Sequence, residues 1–469
     1  MFCRGLTYDQ EAFFCFGVGY LLSANLCFTQ SLVVADSVRV SLPELFVWAD
    51  TACVTMRLSA SAVCAANEGV LQARSQLFPR VGVSVSGSYI GDAVLMDRNF
   101  SARGTTTVIL PGVGAQSVDN GLQPTPHWGN SFVFEVSQVI FTGGALKAGV
   151  ELAKLNERIA ELDMAKNRQE IRFVLVGYYL DLVRLANRRR VVAQHLAQTA
   201  QVLQLMRARE SEGVVLVNDL IRYELKYKQL QLSDVQLSEA ENIIGHQLQT
   251  LLHRPDCVLL PDTQALRATF TTFDASLPES IWQMCAGDSN LDIRQAMLAV
   301  DVADKQVKVV RAASLPKVAL VARDELFGPY TSDLIPVDAN VNAWFVGLGV
   351  NYDLSSIWQN RHAIRKAKAT REVARWQAET ARERVDNDIH AAYSRMLTAG
   401  IEIETQRKQV ELAARNYDTM LSRYSNDLAL LTDLLDASAV KLQADMALVA
   451  AEIDWLYYYY QLKFFSHTL

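Results

Sequence analysis

Two periodicities of apolar residues alternate along this chain. Long stretches carry apolar residues at spacings of three and four, and the stretch from 142 to about 210 contains no proline. It predicts one continuous helix of about 65 residues, roughly 100 Å long. The turn at Ser211–Gly213 and a second helix over about 218–252 complete an antiparallel helical hairpin. The same arrangement returns between about 360 and 465, with a turn at 425–427.

Four short segments alternate with a period of two, which predicts β-strands. They lie near 80–89, 131–140, 318–322 and 344–352, and they place bulky apolar residues on one face and mostly small or polar residues on the other. Any one of them alone has the pattern of a half-buried hairpin strand in a soluble protein. An apolar outer face with a small or polar inner face is typical of strands in a membrane barrel, and four segments in matched pairs favour that interpretation.

A shorter helix precedes the first pair of strands. The segment Ser41–Glu44 offers a serine N-cap, an early proline and an acidic first turn, so we expect a helix over about 41–77 that ends before Pro79. Cys53 and Cys64 would both lie on this helix, about 16 Å apart, which is too far for a disulfide.

The chain contains two copies of one unit. A constant shift of 214 positions superposes Tyr179 on Tyr393 and Asp219 on Asp433, and it persists without a gap from about 140 to 224. A period this long is not that of a solenoid repeat, so the two units are large and pseudo-symmetric. We predict four regions, namely a signal peptide over 1–35, a first repeat over 36–254, a linker over 255–290 and a second repeat over 291–469.

The composition narrows the classes of function. The chain has 469 residues and a net charge of −6, and it carries no basic footprint of a nucleic-acid-binding protein. The run Arg188–Arg190 is interpreted as a solvated helix face or an ion-pair site. The seven histidines are scattered, and no CxxC or Cys/His cluster indicates a metal. No arrangement of nucleophile, base and orienting group is found, so we expect no enzyme, no metal and no cofactor.

The N-terminus predicts export. It is apolar over 12–28 and small residues follow, which favours a secretion signal although two acidic residues accompany the only arginine near its start. Lipidation of Cys27 is a weaker alternative, because Leu26 stands where a lipobox has a small residue. In an oxidising compartment Cys257 and Cys285 either form a disulfide or, as we favour, remain two unpaired buried thiols. No other stretch is apolar for the roughly 20 residues that a membrane helix needs.

Several motifs resemble those of TolC-type outer-membrane efflux proteins. They are Leu77–Pro79 and Ser314–Pro316 at helix ends, Val139–Gly144 before the long helix, and Arg423–Tyr424 followed by Leu431–Ala437. The resemblance covers about residues 41 to 465. The second copy departs from the family pattern, since Leu354–Trp358 replaces the glycine pair.

The resemblance implies a mainly α-helical fold with membrane β-strands. Each chain would contribute four strands to a trimeric 12-stranded β-barrel, which continues into an α-helical tunnel through the periplasm. Physical reasoning agrees, because four strands cannot close a barrel. Open strand edges in lipid would leave backbone groups without hydrogen bonds, so several chains must share the closure.

The implied function is a passive exit duct in the bacterial outer membrane, in a tripartite efflux or type I secretion system. The duct would be a homotrimer that contacts outer-membrane lipid and works with a periplasmic adaptor and an inner-membrane transporter. The alternative is a periplasmic adaptor or a coiled-coil scaffold. An adaptor would show one helical hairpin flanked by a lipoyl-like domain, so two hairpins with paired strands argue against it. The long loop over 91–129 is expected to face outside the cell.

The resemblance also implies a gate at the periplasmic end. Asp433 and Asp436 match acidic residues that form rings at the constriction, where they would repel anions and attract cations. The alternative is that both lie in the first turn of a helix, where aspartate interacts favourably with the helix dipole. We favour the ring, because the two residues are three apart on one helix face.

The hairpins of the family are also linked to each other. Tyr424 and Asp219 match a hydrogen-bonded pair that helps to hold the constriction shut. Ala429 stands where the family prototype has an arginine clamp, and the tip arginines Arg209 and Arg423 are the residues that could replace it. Each of these two arginines is otherwise a solvated tip residue.

Overall fold

A computed structural model describes most of the chain. The described residues are 36–89, 91, 106–110, 114–118, 127–213, 215–255, 257–262, 278–331, 336–337 and 339–469. The predicted signal peptide, Cys27 and most of the loop over 91–129 lie outside them.

The first half of the chain carries these elements: β1 (Asp36–Val40), α1 (Leu42–Ala52), α2 (Val54–Ser75), β2 (Arg80–Tyr89), β3 (Thr106–Leu110), β4 (Gly114–Val118), β5 (Trp128–Thr142), α3 (Ala145–Ser211) and α4 (Val217–Leu251). The second half carries these: β6 (Cys257–Pro261), α5 (Glu279–Ser289), α6 (Leu291–Ala312), β7 (Lys317–Gly328), β8 (Tyr330–Thr331), β9 (Pro336–Val337), β10 (Val341–Asn351), α7 (Ser356–Ser425) and α8 (Leu431–Phe465).

The two long helical hairpins are confirmed. Helix α3 has 67 residues and α7 has 70, and each is followed by a returning helix of 35 residues, α4 or α8. None of the described helices carries an apolar stretch long enough to cross a membrane. The repeated unit of helix, two strands and helical hairpin is therefore present twice among the described residues.

The prediction of a single helix over 41–77 is wrong. The chain forms α1 and α2, which are separated at Cys53, where the backbone is extended with φ −66° and ψ 131°. Thr51, Val54 and Thr55 surround the break, and β-branched side chains have a lowered helix propensity. Cys53 and Cys64 consequently do not lie on one helix.

The chain divides into two compact units. The sheet unit takes its described residues from 67–156 and 301–373, and the helical unit from 36–66, 157–300 and 374–469. Both units thus draw on both sequence repeats.

The sheet unit contains a four-stranded antiparallel sheet with the strand order β10-β7-β5-β2. Its register places Val81, Val136, Ala322 and Val346 in one cross-strand row. The large apolar side chains of this face are exposed along both edge strands, β2 and β10, as the alternation predicted. Among the described residues neither edge strand has a partner on its outer side.

The helical unit has a continuous apolar core. Residues of α1 and α3 to α8 contribute to it, and its largest fully buried side chains are Leu45, Leu175, Tyr179, Leu180, Leu248, Leu252, Ile389, Met396 and Leu456. The hydroxyl of Tyr179 donates a hydrogen bond to the carbonyl of Asp262 at 3.1 Å. Burial raises the pKa of Tyr179 to about 12. Tyr457–Tyr460, near the end of α8, pack against this core.

The described residues of the region predicted as a linker, 255, 257–262 and 278–290, belong to the helical unit. Strand β6 pairs in parallel with β1, and α5 buries Trp282 and Ala286 in the core. Cys257 and Cys285 are both free in the structure. Cys257 is half-buried, but Cys285 is exposed, so the expectation of two buried thiols is wrong for Cys285.

Candidate gate at the tips of the helical hairpins

Both hairpins reverse direction at a residue in the left-handed region. Gly213 has φ +73° and Asp427 has φ +60°, and these are equivalent positions of the two repeats. Glycine adopts this conformation freely, and aspartate is one of the few other residues that tolerate it. The N–H groups of Asp427 and Leu428 donate to the carbonyls of Tyr424 at 3.1 Å and Arg423 at 2.8 Å, which is the Schellman pattern of a helix end.

The four helices of the two hairpins share a small core near these turns, which we call the tip cluster. Its buried members are Val202, Leu203, Met206, Tyr223, Tyr417, Tyr424, Leu431, Leu434 and Ala437. They come from α3, α4, α7 and α8, so the first and second hairpins are packed against each other at this end. Separating the hairpins would expose this apolar surface to water.

Arg209 links the end of α3 to the turn of the second hairpin. Its guanidinium donates to the backbone carbonyl of Ser425 and forms an ion pair with Asp427 at 3.4 Å. The Arg209 side chain is only 23% exposed, whereas that of Asp427 is 70% exposed. Arg423 is exposed and its side chain has no hydrogen bond or ion pair among the described residues. Of the two tip arginines, only Arg209 therefore bridges the hairpins.

A pair of buried tyrosines forms a second link that the sequence did not reveal. Tyr223 of α4 and Tyr417 of α7 are 1% and 4% exposed, and both side chains lie in the tip cluster, where each phenol affects the pKa of the other. Burial raises the pKa of both phenols. The ammonium of Lys441 lies 4.6 Å from the centre of the Tyr417 ring. Because Tyr417 lies seven residues before Tyr424, the heptad spacing was the one signal that could have pointed to it.

Tyr424 and Asp219 lie close enough to influence each other electrostatically. Tyr424 is buried, and burial raises its pKa; the Asp219 carboxylate raises it further, while the Arg209 guanidinium lowers it. No hydrogen bond joins Tyr424 to Asp219 within the part of the chain that the structure describes. The hydrogen bond between the described parts of the hairpin tips comes instead from Arg209.

Asp433 and Asp436 are exposed in the first turns of α8. The Asp433 carboxylate accepts a hydrogen bond from the backbone N–H of Leu430 at 3.3 Å, so it satisfies one of the free donors at the start of this helix. Neither carboxylate has an ion pair with another described residue. In a single chain Asp433 is therefore an N-terminal helix residue, and both carboxylates remain available to neighbouring charges.

Two polar contacts join α3 to α8 farther from the tips. Arg184 and Asp454 form an ion pair at 2.6 Å. His195, which is 4% exposed, contacts the Asp445 carboxylate with its Nε2 at 2.9 Å. No local sequence pattern indicates these pairs, because their partners are 270 and 250 positions apart in the chain. Among the described residues no group of three or more His, Cys, Asp or Glu side chains could hold a metal ion.

The chain matches a known family over most of its length. The family model, described as outer membrane efflux protein, matches residues 55–242 and 286–464. Outer membrane efflux protein BepC of Brucella suis biovar 1 (strain 1330) is 22% identical over 357 residues, which cover 73% of this chain and 73% of BepC.

Solved structures share the fold at low sequence identity. A membrane protein from Pseudomonas aeruginosa is similar with a TM-score of 0.72 and 14% identity, covering 92% of this chain and 93% of that protein. The MtrE outer membrane channel of Neisseria gonorrhoeae, solved in an open state, is similar with a TM-score of 0.67 and 14% identity, covering 91% of this chain and 88% of that channel.

Proposed function

Since this chain belongs to the outer membrane efflux protein family and is an outer-membrane exit duct of an efflux system, we propose that it works as a homotrimer with a gate at its helical tips. It lies in the bacterial outer membrane and extends into the periplasm. The gate is the tip cluster, together with Arg209 and the pair Tyr223 and Tyr417. The observation that carries this proposal is that buried contacts join the two hairpins at one end.

The sheet supports assembly from several chains. The edge strands β2 and β10, of 10 and 11 residues, have no partner on their outer sides among the described residues. They are the first and last of four antiparallel strands, so they run in opposite directions. The β2 edge of one chain can therefore pair in antiparallel fashion with the β10 edge of the next, and repetition closes a ring. Three chains would give the 12-stranded β-barrel, with no edge left open in lipid.

Transport in this proposal involves no chemistry within the duct. A periplasmic adaptor docks at the hairpin tips, and an inner-membrane transporter supplies the energy. Leu216, Val217, Leu428 and Leu430 are exposed at the two turns, and such apolar side chains are suited to contact a protein partner. The free energy of docking would offset the free energy of the contacts between the hairpins that are lost on opening.

Arg209→Ala tests the gate. The variant loses the hydrogen bond from the Arg209 guanidinium to Ser425 and the ion pair with Asp427. A hydrogen bond to a charged group contributes about 1.5 to 3 kcal/mol. We expect the closed state to lose stability and the single-channel conductance of purified protein in planar bilayers to rise. The matched control is Arg423→Ala, which removes the same charge from the same tip without breaking a contact.

Two outcomes would contradict the gate. The first is that Arg209→Ala conducts like the wild type, and the second is that Arg423→Ala opens the channel equally. If the purified protein forms no conducting pore at all and migrates as a monomer in SDS without heating, then the trimer itself is excluded.

A further inference from the structure

The start of α7 differs in chemistry from its counterpart at the start of α3. Trp358 occupies the position equivalent to Gly144, and Arg365 the position equivalent to Glu151. The segment 354–370 contains four basic residues and a histidine but no acidic residue. The efflux function described above leaves this difference between the two repeats unexplained.

Large apolar side chains are exposed where the sheet meets the helices. Phe78, two residues before β2, is 69% exposed, and Trp358, seven residues after β10, is 63% exposed. Leu354 and Ile357 beside Trp358 are exposed as well. Strand β2 begins and β10 ends at the same end of the sheet, so these exposed apolar side chains follow the two edge strands at that end.

Basic side chains follow directly after this apolar group. Arg361, Arg365, Lys366 and Lys368 are exposed, and their side chains have no hydrogen bond or ion pair in the part of the chain that the structure describes. Arg361 and Arg365 lie three and seven residues after Trp358, on the same helix face and about 5 and 10 Å farther along it. The equivalent segment of the first repeat, 140–156, carries only two lysines and also contains Glu151, which forms an ion pair with Lys305.

We propose that Phe78, Trp358 and the basic side chains of 361–368 form a docking surface for anionic phospholipid headgroups of the inner leaflet of the outer membrane. The surface has an apolar, an aromatic and a basic zone, in the same order as the hydrocarbon, the interface and the phosphates of a bilayer. The apolar sheet face meets hydrocarbon, the aromatic rings lie at the interface that tryptophan prefers, and the cations reach the phosphates. Charge complementarity selects anionic over zwitterionic lipid, and the surface is continuous with the membrane-facing sheet.

Binding of defined lipids to the full-length purified protein tests the charges. We expect phosphatidylglycerol, but not phosphatidylcholine, to raise the Tm of the wild type in detergent, and high salt to cancel the rise because it screens the charges. The variant Arg361→Gln/Arg365→Gln/Lys368→Gln should bind phosphatidylglycerol more weakly by roughly fivefold for each charge removed. Its Tm in phosphatidylcholine should equal that of the wild type.

The matched control removes three exposed arginines that also lack ion pairs, as Arg57→Gln/Arg222→Gln/Arg395→Gln. It should keep the wild-type response to phosphatidylglycerol. Two outcomes overturn the proposal. If the triple variant of the 361–368 segment retains the response, these side chains do not bind the lipid. If the control variant loses it, binding follows net charge rather than this surface.

Fluorescence quenching tests the aromatic zone independently. In vesicles with bromine on the acyl chains, part of the tryptophan emission should be quenched, and Trp358→Phe should reduce the quenched part. Trp376→Phe is the control, because Trp376 lies on the same helix and is 71% exposed but is 18 residues farther on. If Trp358→Phe leaves quenching unchanged, Trp358 faces water or protein and the docking surface is wrong.

Discussion

At the scale of single residues, few side chains account for the proposed closure of the tips. Arg209 spans from α3 to the second turn, and Tyr223 and Tyr417 are buried together in the tip cluster. Tyr424 and Asp219 influence each other only through their charges and dipoles. Of these links, Arg209 was a candidate from the family resemblance, whereas the pair Tyr223 and Tyr417 was not.

This difference leads to a comparison of two tyrosine variants. Tyr223→Phe removes the buried hydroxyl that interacts with Tyr417, at a cost of about 1 kcal/mol, so the open fraction should rise about fivefold. Tyr424→Phe keeps the packing and removes no hydrogen bond, so its open fraction should stay near that of the wild type. Single-channel recordings of both variants measure this. Equal effects would show that Tyr424 carries a link absent from the single chain.

Alkaline titration follows the ionisation of Tyr223 and Tyr417. Their folded-state pKa values are raised, so above pH 10 the unfolded chain ionises while the buried phenols stay protonated. Their contribution to the free energy of unfolding is thus complete below pH 10 and is lost as the pH rises toward the folded-state values.

Absorbance of phenolate at 295 nm should show two groups among the 16 tyrosines. Tyr223→Phe/Tyr417→Phe should remove absorbance only from the late group, which ionises on unfolding. Tyr352→Phe, at an exposed position, should remove it from the early group. A late group of unchanged size in the double variant would contradict the assignment of buried phenols.

At the scale of elements, the two faces of the sheet have different tolerances for charge. Val346 belongs to the exposed apolar face of β10, and Ala343 points to the other face, which already carries the ion pair of Arg323 and Glu325 at 3.0 Å. The register fixes this assignment, because neighbouring residues of a strand alternate between faces.

A single arginine placed on each face should therefore act differently. Val346→Arg puts a charge into hydrocarbon at a cost of about 2 to 4 kcal/mol near the bilayer centre, so insertion and the yield of SDS-resistant assembly should fall. Ala343→Arg should leave both near the wild-type level. Heat-modifiable mobility in SDS gels measures the yield of the assembly. If Ala343→Arg lowers this yield more than Val346→Arg does, the face of Ala343 rather than that of Val346 contacts lipid.

At the scale of the whole molecule, charge at the constriction depends on assembly. One chain offers Asp433 and Asp436 without ion-pair partners among the described residues, and three chains around an axis would concentrate six carboxylates. Such a ring attracts cations into a narrow, weakly screened space.

The variant Asp433→Asn/Asp436→Asn should therefore lower the cation preference of the pore. The reversal potential across a salt gradient measures this preference directly. Asp418→Asn removes an exposed carboxylate from α7 close to the tip and should change the potential much less. An unchanged potential in the double variant would favour the alternative that both aspartates serve only the start of α8.

The sequence by itself determined the elements of this protein. Helix lengths, strand faces and both turns were predicted, because the periods of 3.6 and 2 and the turn residues act within a few positions. The break at Cys53 has a local cause in the β-branched residues around it, whereas only the tertiary structure decided the pairing of β1 with β6 and the contacts of the tips. Arg209 and Ser425 lie 216 positions apart. Their meeting depends on how one hairpin packs against the other, and no local period encodes that packing.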